Sequence, residues 1–200
     1  GQQKNKKAYF KNTRFAAYKQ WESTSKWYHP DNLMLQAALR VSYTSPKVMH
    51  WITQLLIWLT KNADSLDTEF PYYTDVINEI AKRPVRDFLD NKDYSLGVNT
   101  PHVVLNYLDF LLWKRNRNVD FDFEFRNSVE HWYPRNPSEG TFARWEDDVD
   151  RFGNLCLIQR NINSRFSNMS PEAKKSTFKE MIEKGSLKLR IMSDLTQGAN

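Results

Sequence analysis

The residues able to do hydrolytic chemistry are concentrated between Val129 and Lys175. Glu130-His131 comes first, then Gly153-Asn154-Leu155, then Asn161 and Asn163, and finally Lys174 behind a Ser170-Pro171 helix start. An acid beside a histidine, followed by spaced asparagines, can hold one divalent metal next to one general base. Phosphodiester cleavage needs an activated water, in-line geometry and stabilisation of charge on the phosphate and the leaving oxygen. A hard cation such as Mg²⁺ polarises the phosphate and accepts the leaving oxygen. It prefers oxygen ligands, and a carboxylate with an amide carbonyl supplies two of them. Histidine, titrating near neutrality, is the natural base.

Neighbours on a strand point to opposite faces, so a regular strand would separate Glu130 from His131. Both serve one site only where the strand twists or ends, and Pro134 marks such an ending. Taken singly, these residues have plainer readings. His131 could be a strand histidine satisfied by its neighbours, Asn154 half of a Gly-Asn turn, and Asn163 a helix cap.

The elements that position this stretch follow from periodicity. Leu33, Ala37 and Val41 recur at helical spacing behind Asp31. Ser45-Pro46 precedes a broad apolar stripe of Val48, Trp51, Ile52, Leu55, Leu56 and Leu59. Val76, Ile77, Ile80 and Ala81 predict a helix that Pro84 interrupts or ends. Thr100-Pro101 opens another, burying Val104, Leu105, Leu108, Leu111 and Leu112. At Val119 the period changes to two: Val119, Phe121, Phe123 and Phe125 alternate with acids, which predicts a half-buried strand. Ser128 to Tyr133 is a second extended piece. Phe142 to Val149 reads as a short helix around Trp145, a residue expected in the core, and Leu155 to Ile158 as an apolar strand. Ser170-Pro171 caps a final helix reaching about Lys184, ended by Gly185. The fold class is therefore α+β, mainly α, with a helical module over 1–118 followed by a smaller unit over 119–200.

Bulk properties bound the function. Two hundred residues can bury a real core, and 14% aromatics with seven Trp exclude a disordered chain. No apolar run approaches a membrane span, and no signal peptide opens the sequence. The single cysteine, Cys156, excludes a disulfide framework and a Cys-rich zinc site. A reducing, cytoplasmic setting is the resulting expectation. A net charge of +5 permits a polyanionic partner, although a solvated basic face explains it equally well. The first 30 residues mix lysines with Tyr9, Phe10, Phe15, Tyr18, Trp21, Trp27 and Tyr28. Packing of an aromatic helix side accounts for them better than a nucleic-acid surface.

As an ordered set, Glu130-His131, Pro134, Trp145, Gly153-Asn154-Leu155, Asn163-Ser164, Asn168 and Lys174 resembles the His-Asn-His (HNH, ββα-metal) endonuclease motif. More narrowly, it is similar to the C-terminal nuclease region of GmrSD-type modification-dependent restriction proteins. The resemblance implies an HNH-type DNA endonuclease, a hydrolase acting in bacterial restriction and anti-phage defence. It implies His131 as general base, Glu130 and Asn163 as ligands of one divalent metal (Mg²⁺, with Mn²⁺ able to substitute), and Asn154 as the residue that bridges the loop and orients His131. Asn161 competes for the ligand role, but the Asn-Ser pairing favours Asn163. Lys174 would meet a phosphate or developing charge, and Arg135, Arg160, Arg165 and Lys175 would hold the DNA backbone. Glu before the histidine and Arg135 after the proline depart from the commoner pattern, and Arg135 would alter how the loop meets DNA. Implied partners are modified or phage DNA and an upstream nucleotide-hydrolysing sensor domain, since no Gly-rich phosphate loop occurs here. Neither a membrane nor a small-molecule substrate is expected. The competing expectation is a catalytically silent DNA-binding or regulatory module of a larger restriction complex.

Overall fold

The computed structural model describes residues 30–63, 66–138, 145 and 148–196. Among them are eight α-helices and one two-stranded antiparallel sheet, an α+β, mainly α architecture. The helices of the first half are α1 (Pro30–Ser42), α2 (His50–Lys61), α3 (Leu66–Asp90) and α4 (His102–Arg115). Then come β1 (Ser128–His131), β2 (Leu155–Ile158), α5 (Arg160–Phe166), α6 (Pro171–Thr177), α7 (Lys179–Glu183) and α8 (Leu187–Leu195).

Helix α4 is the centre of the molecule. It packs against α1, α3, α8 and β2, and Val103, Val104, Leu105, Tyr107, Phe110 and Trp113 are all buried. A helix that is apolar on most sides must be covered on most sides, but of the expected stripe Leu111 is exposed and Leu108 and Leu112 are only half-buried. The sheet lies between α4 and the C-terminal helices. On one face Val129, Leu155 and Leu157 meet Leu105 of α4. On the other, Cys156 and Ile158 join Trp132, Phe166, Phe178, Ile182 and Leu189. Coverage of both faces explains why β2, Leu-Cys-Leu-Ile, is apolar throughout rather than alternating. Register pairs Val129 with Leu157, Glu130 with Cys156 and His131 with Leu155.

Several expectations are corrected. Residues 119–127 alternate as foreseen, with Phe121 and Phe123 buried and edge-to-face. They find no strand partner, however, and form no strand. Phe125 is exposed beneath the Arg40 guanidinium. Pro84 does not end α3, which continues to Asp90; a proline there forfeits one backbone hydrogen bond and the packed helix tolerates it. The buried stripe of α1 is Met34, Leu35, Ala38, Leu39 and Val41, rotated from the expected one, so Leu33 and Ala37 are only half-buried. In α2 only Trp51 and Leu55 are buried; Ile52, Leu56 and Ile57 are exposed. The C-terminal helix expected as one piece is two, α6 and α7, breaking at Phe178. Ser170 does cap α6, accepting from Ala173 N at 3.2 Å. The expected helix around Trp145 falls largely outside the described residues, as do the aromatic residues of the first 29 positions. No helix among the described residues is long and apolar enough to cross a membrane.

Asp109 of α4 ties the two halves together. Fully buried, its carboxylate accepts the backbone N–H of Lys188 at 2.8 Å, capping the first turn of α8 across the core. Burial pushes its carboxyl up from 3.8 to about 6, against the smaller pull of the Lys188 N–H and nearby cations. With the folded value above the unfolded one, the stabilisation linked to its proton is complete below about pH 4 and lost as pH rises through about 6. Asp109→Asn, which keeps an acceptor but cannot ionise, should therefore gain stability relative to the parent between pH 4 and pH 7. The gain should be on the order of 2–3 kcal/mol. Thermal unfolding at a series of pH values checks this, and parallel pH curves for the two proteins would refute it.

Candidate functional site

The strand alternation that separates Glu130 from His131 is preserved. Glu130 lies on the face of β1 that meets the C-terminal helices, and His131 on the face toward α4 and the Gly97–Asn99 turn. The strands stay in regular register through His131 and Leu155, so the two side chains remain on opposite faces.

On the Glu130 side, Lys174 of α6 is completely buried. Its Nζ donates to Glu130 Oε1 at 2.7 Å, to His131 O at 2.8 Å and to Trp132 O at 2.9 Å. The Trp132 and Phe166 rings lie 5.9 and 5.7 Å from the ammonium. All three donor positions are thus filled by the end of β1. Burial raises the Glu130 carboxyl above its ordinary range, and the charge and hydrogen bond of Lys174 draw it back in part. Asn163, on α5, donates its amide to Ser128 Oγ. Ser128 and Glu130 share a face of β1, so Asn163 and Glu130 lie on the same side of the sheet, with His131 on the other. Asn161 and Asn168 are exposed.

A divalent ion on Glu130 would have to displace an ammonium 2.7 Å from the carboxylate and would sit across the strand from the histidine. Among the described residues no group of three or more His, Cys, Asp or Glu could hold a metal. The side chains, as arranged, do not fit the implied cation.

On the other side, His131 Nε2 lies 2.7 Å from Asp150 Oδ1. Asp150 also accepts from the Arg135 guanidinium. Burial acts to raise the Asp150 carboxyl, but the Arg135 and His131 hydrogen bonds outweigh it and leave it below the usual carboxylate range. His131 is mostly buried, its side chain 11% exposed, whereas Asp150 at 30% and Arg135 at 49% reach solvent.

The backbone holds Asp150 in place. Gly97 N donates to Asp150 O at 3.1 Å, and Phe152 N to Tyr94 O at 2.7 Å. Gly97 adopts φ +55°, and a Cβ there would lie 2.8 Å from Asp150 Cγ. Glycine is thus required both for the backbone conformation and for the carboxylate's position.

Asn154 stands between the two halves of the loop. Its Oδ1 accepts from Tyr133 N at 2.7 Å, while its Nδ2 donates to Tyr133 O and Val149 O, each at 2.8 Å. One amide thereby closes the long excursion between β1 and β2. Lys188, a second buried lysine, donates from Nζ to Phe152 O at 2.7 Å, Gly153 O at 3.2 Å and Leu155 O. The residue that sequence reasoning missed is Asp150. The acids between Glu139 and Asp150 are visible as a cluster, but nothing in their spacing singles out the one that reaches His131.

The basic residues do not converge. Arg135 is committed to Asp150. Arg160 and Arg165 are exposed on α5, the latter over the Phe178 ring, and Lys175 Nζ donates to Thr196 O at 2.7 Å.

Removing Lys174 would leave Glu130 buried without its counter-ion and orphan two carbonyls. Lys174→Met should cost about 3–5 kcal/mol in urea unfolding, and a loss below 1 kcal/mol would contradict the buried pair.

A family model described as GmrSD restriction endonucleases, C-terminal domain, matches residues 82–196, more than half of the chain. The matched region begins within α3 and takes in α4, both strands and α5–α8. No curated protein and no solved structure matches.

Proposed function

We propose, since the chain belongs to the family of GmrSD restriction endonuclease C-terminal domains, that it is an HNH-type DNA endonuclease in which His131 activates the attacking water. The observation that carries this reading is the short His131–Asp150 contact at the mouth of a loop closed by Asn154. Asp150 orients the ring through Nε2 and stabilises the imidazolium formed when Nδ1 takes the proton from water. Asn154 acts through the backbone: by fixing Tyr133 and Val149 it sets the spacing between His131 and Asp150. Arg135 keeps Asp150 ionised and, being half exposed, offers positive charge to an incoming phosphate. Arg160, Arg165 and Lys175 would add backbone contacts farther out. Lys174 holds β1 from behind, and in this arrangement it does not meet the phosphate.

The proposed substrate is modified or phage DNA, with an upstream nucleotide-hydrolysing domain as sensor and bacterial defence as the setting. Residues 119–200 form the proposed nuclease unit. Divalent-metal dependence, with Mg²⁺ preferred and Mn²⁺ substituting, is also proposed, on family membership alone; for Glu130 and Asn163 to be the ligands the site would have to rearrange. That requires Lys174 to yield the carboxylate, so no step is assigned to the ion.

The buried Glu130–Lys174 pair and the low exposure of His131 favour a second reading, a DNA-binding module that has kept the fold without the reaction. A plasmid-nicking assay separates the two. Cutting should proceed in Mg²⁺ or Mn²⁺ and stop in EDTA. His131→Ala should slow it about 100-fold or more, and Asp150→Asn should act in the same direction. Nicking that is unchanged in His131→Ala would refute the general base, and an inert parent that still retards DNA would establish the silent module.

A further inference from the structure

Against Asn154 lies a cleft of about 550 Å³ whose walls include Trp132, Tyr133, Trp145, Asp148, Arg151 and Glu172. The Trp145 indole lies flat on the Tyr133 ring, centroids 4.1 Å apart and planes 8° from parallel. Yet Trp145 remains 43% exposed. Tyr133 covers one face of the indole, so the exposed surface belongs to the opposite face and the edges. Such a ring, expected in the core from sequence, has instead one aromatic partner among the described residues and an exposed surface that a second planar group could meet.

The position of the lower ring is not left to the loop. Tyr133, two residues beyond His131, has both its backbone N–H and its C=O held by Asn154. The same amide that closes the loop thus fixes the tyrosine of the pair.

Charge decides what the cleft can take. Asp148 and Glu172 stand on its rim. Asp148 is shared with Arg151 at 2.5 Å, and no cation neutralises Glu172 among the ion pairs of the described residues. A phosphate entering here would meet two carboxylates and a single guanidinium, that of Arg151, already paired with Asp148. The edge of a nucleobase, with its exocyclic amino group and ring N–H, would meet acceptors, and its face would meet the indole.

In a duplex that face is covered by neighbouring bases, so the occupant must be unstacked. Resting on the DNA-cleaving reading above, we infer that the Tyr133–Trp145 pair is a stacking platform that receives an unpaired or flipped-out base beside the scissile phosphate. The platform would bind the base of the strand being cut while Arg135, on the other side of the loop, meets the backbone.

The test measures binding, so that it does not depend on turnover. The full chain carrying His131→Ala is titrated against a fluorescently labelled single-stranded oligonucleotide and against the matching blunt duplex, at several salt concentrations. Adding Trp145→Ala should weaken single-strand binding roughly 5- to 100-fold, the range for loss of one base–aromatic stack. The duplex should be affected less, and Trp145→Phe should restore most of the loss. The slope of log affinity against log salt should stay the same, because no phosphate contact is removed. Affinity unchanged in Trp145→Ala, a slope falling by about one unit, or a Phe variant as weak as Ala would overturn the platform and leave the nuclease reading standing. A parent chain that binds neither oligonucleotide would overturn both.

Discussion

A single ammonium group, that of Lys174, holds the end of β1. It is sealed from solvent and uses all three of its hydrogens on one stretch of three residues: the Glu130 carboxylate and the carbonyls of His131 and Trp132. Placing a charge in such surroundings costs several kcal/mol unless every donor is met, and here every donor is. The chain cannot slide, fray or twist at this point without stranding the charge. Everything the opposite face of β1 presents, His131 included, inherits that fixity. Lys188 does the same for the approach to β2 through the carbonyls of Phe152, Gly153 and Leu155. Two buried lysines therefore bracket the loop from its two ends, and Asn154 ties its middle.

With both ends held, the loop can carry a costly electrostatic arrangement. Asp150 lies between an imidazole and a guanidinium, partly out of water, with its carboxyl below the ordinary range because those two donors outweigh the burial. The ion pair with Arg135 would count for little on an open surface. Its value here is orientation: it keeps the carboxylate charged and aimed at His131. The backbone bonds from Gly97 and to Tyr94 set the carboxylate's position, so helical-module residues contribute to the site as directly as those of the loop.

Much of this was legible in the sequence, for reasons that can be traced to particular residues. Leu155 to Ile158 announced a strand because a short apolar run without breaks suits a strand covered on both faces. Ser170-Pro171 announced a helix start through the chemistry of its side chains. The ordered set from Glu130 to Lys174 pointed to the family that residues 82–196 match. What was not legible depended on partners distant in sequence. Phe121 and Phe123 alternate as strand residues do, but a strand needs a neighbour with free hydrogen bonds, and no local pattern reports whether one exists. Lys174 resembles a phosphate contact by its place in the motif, whereas its depth is set by α6 packing on Trp132 and Phe166. Asp150 is one acid among several, distinguished only by where the excursion folds back. Alternation warned that a regular strand would part Glu130 from His131; the ending at Pro134, expected to bring them to one site, does not do so, because β1 stays paired through His131.

The close fit of Gly97 against Asp150 has a consequence for anyone who would transplant the small two-stranded unit into another scaffold. A graft drawn at the visible change of sequence character, after residue 118, would carry the histidine and its carboxylate but leave behind the bare backbone that the carboxylate rests on. The transferable piece is larger than its chemistry suggests. It has to include the turn around Gly97, and a host offering any other residue at that point would receive a histidine whose partner has been elbowed aside.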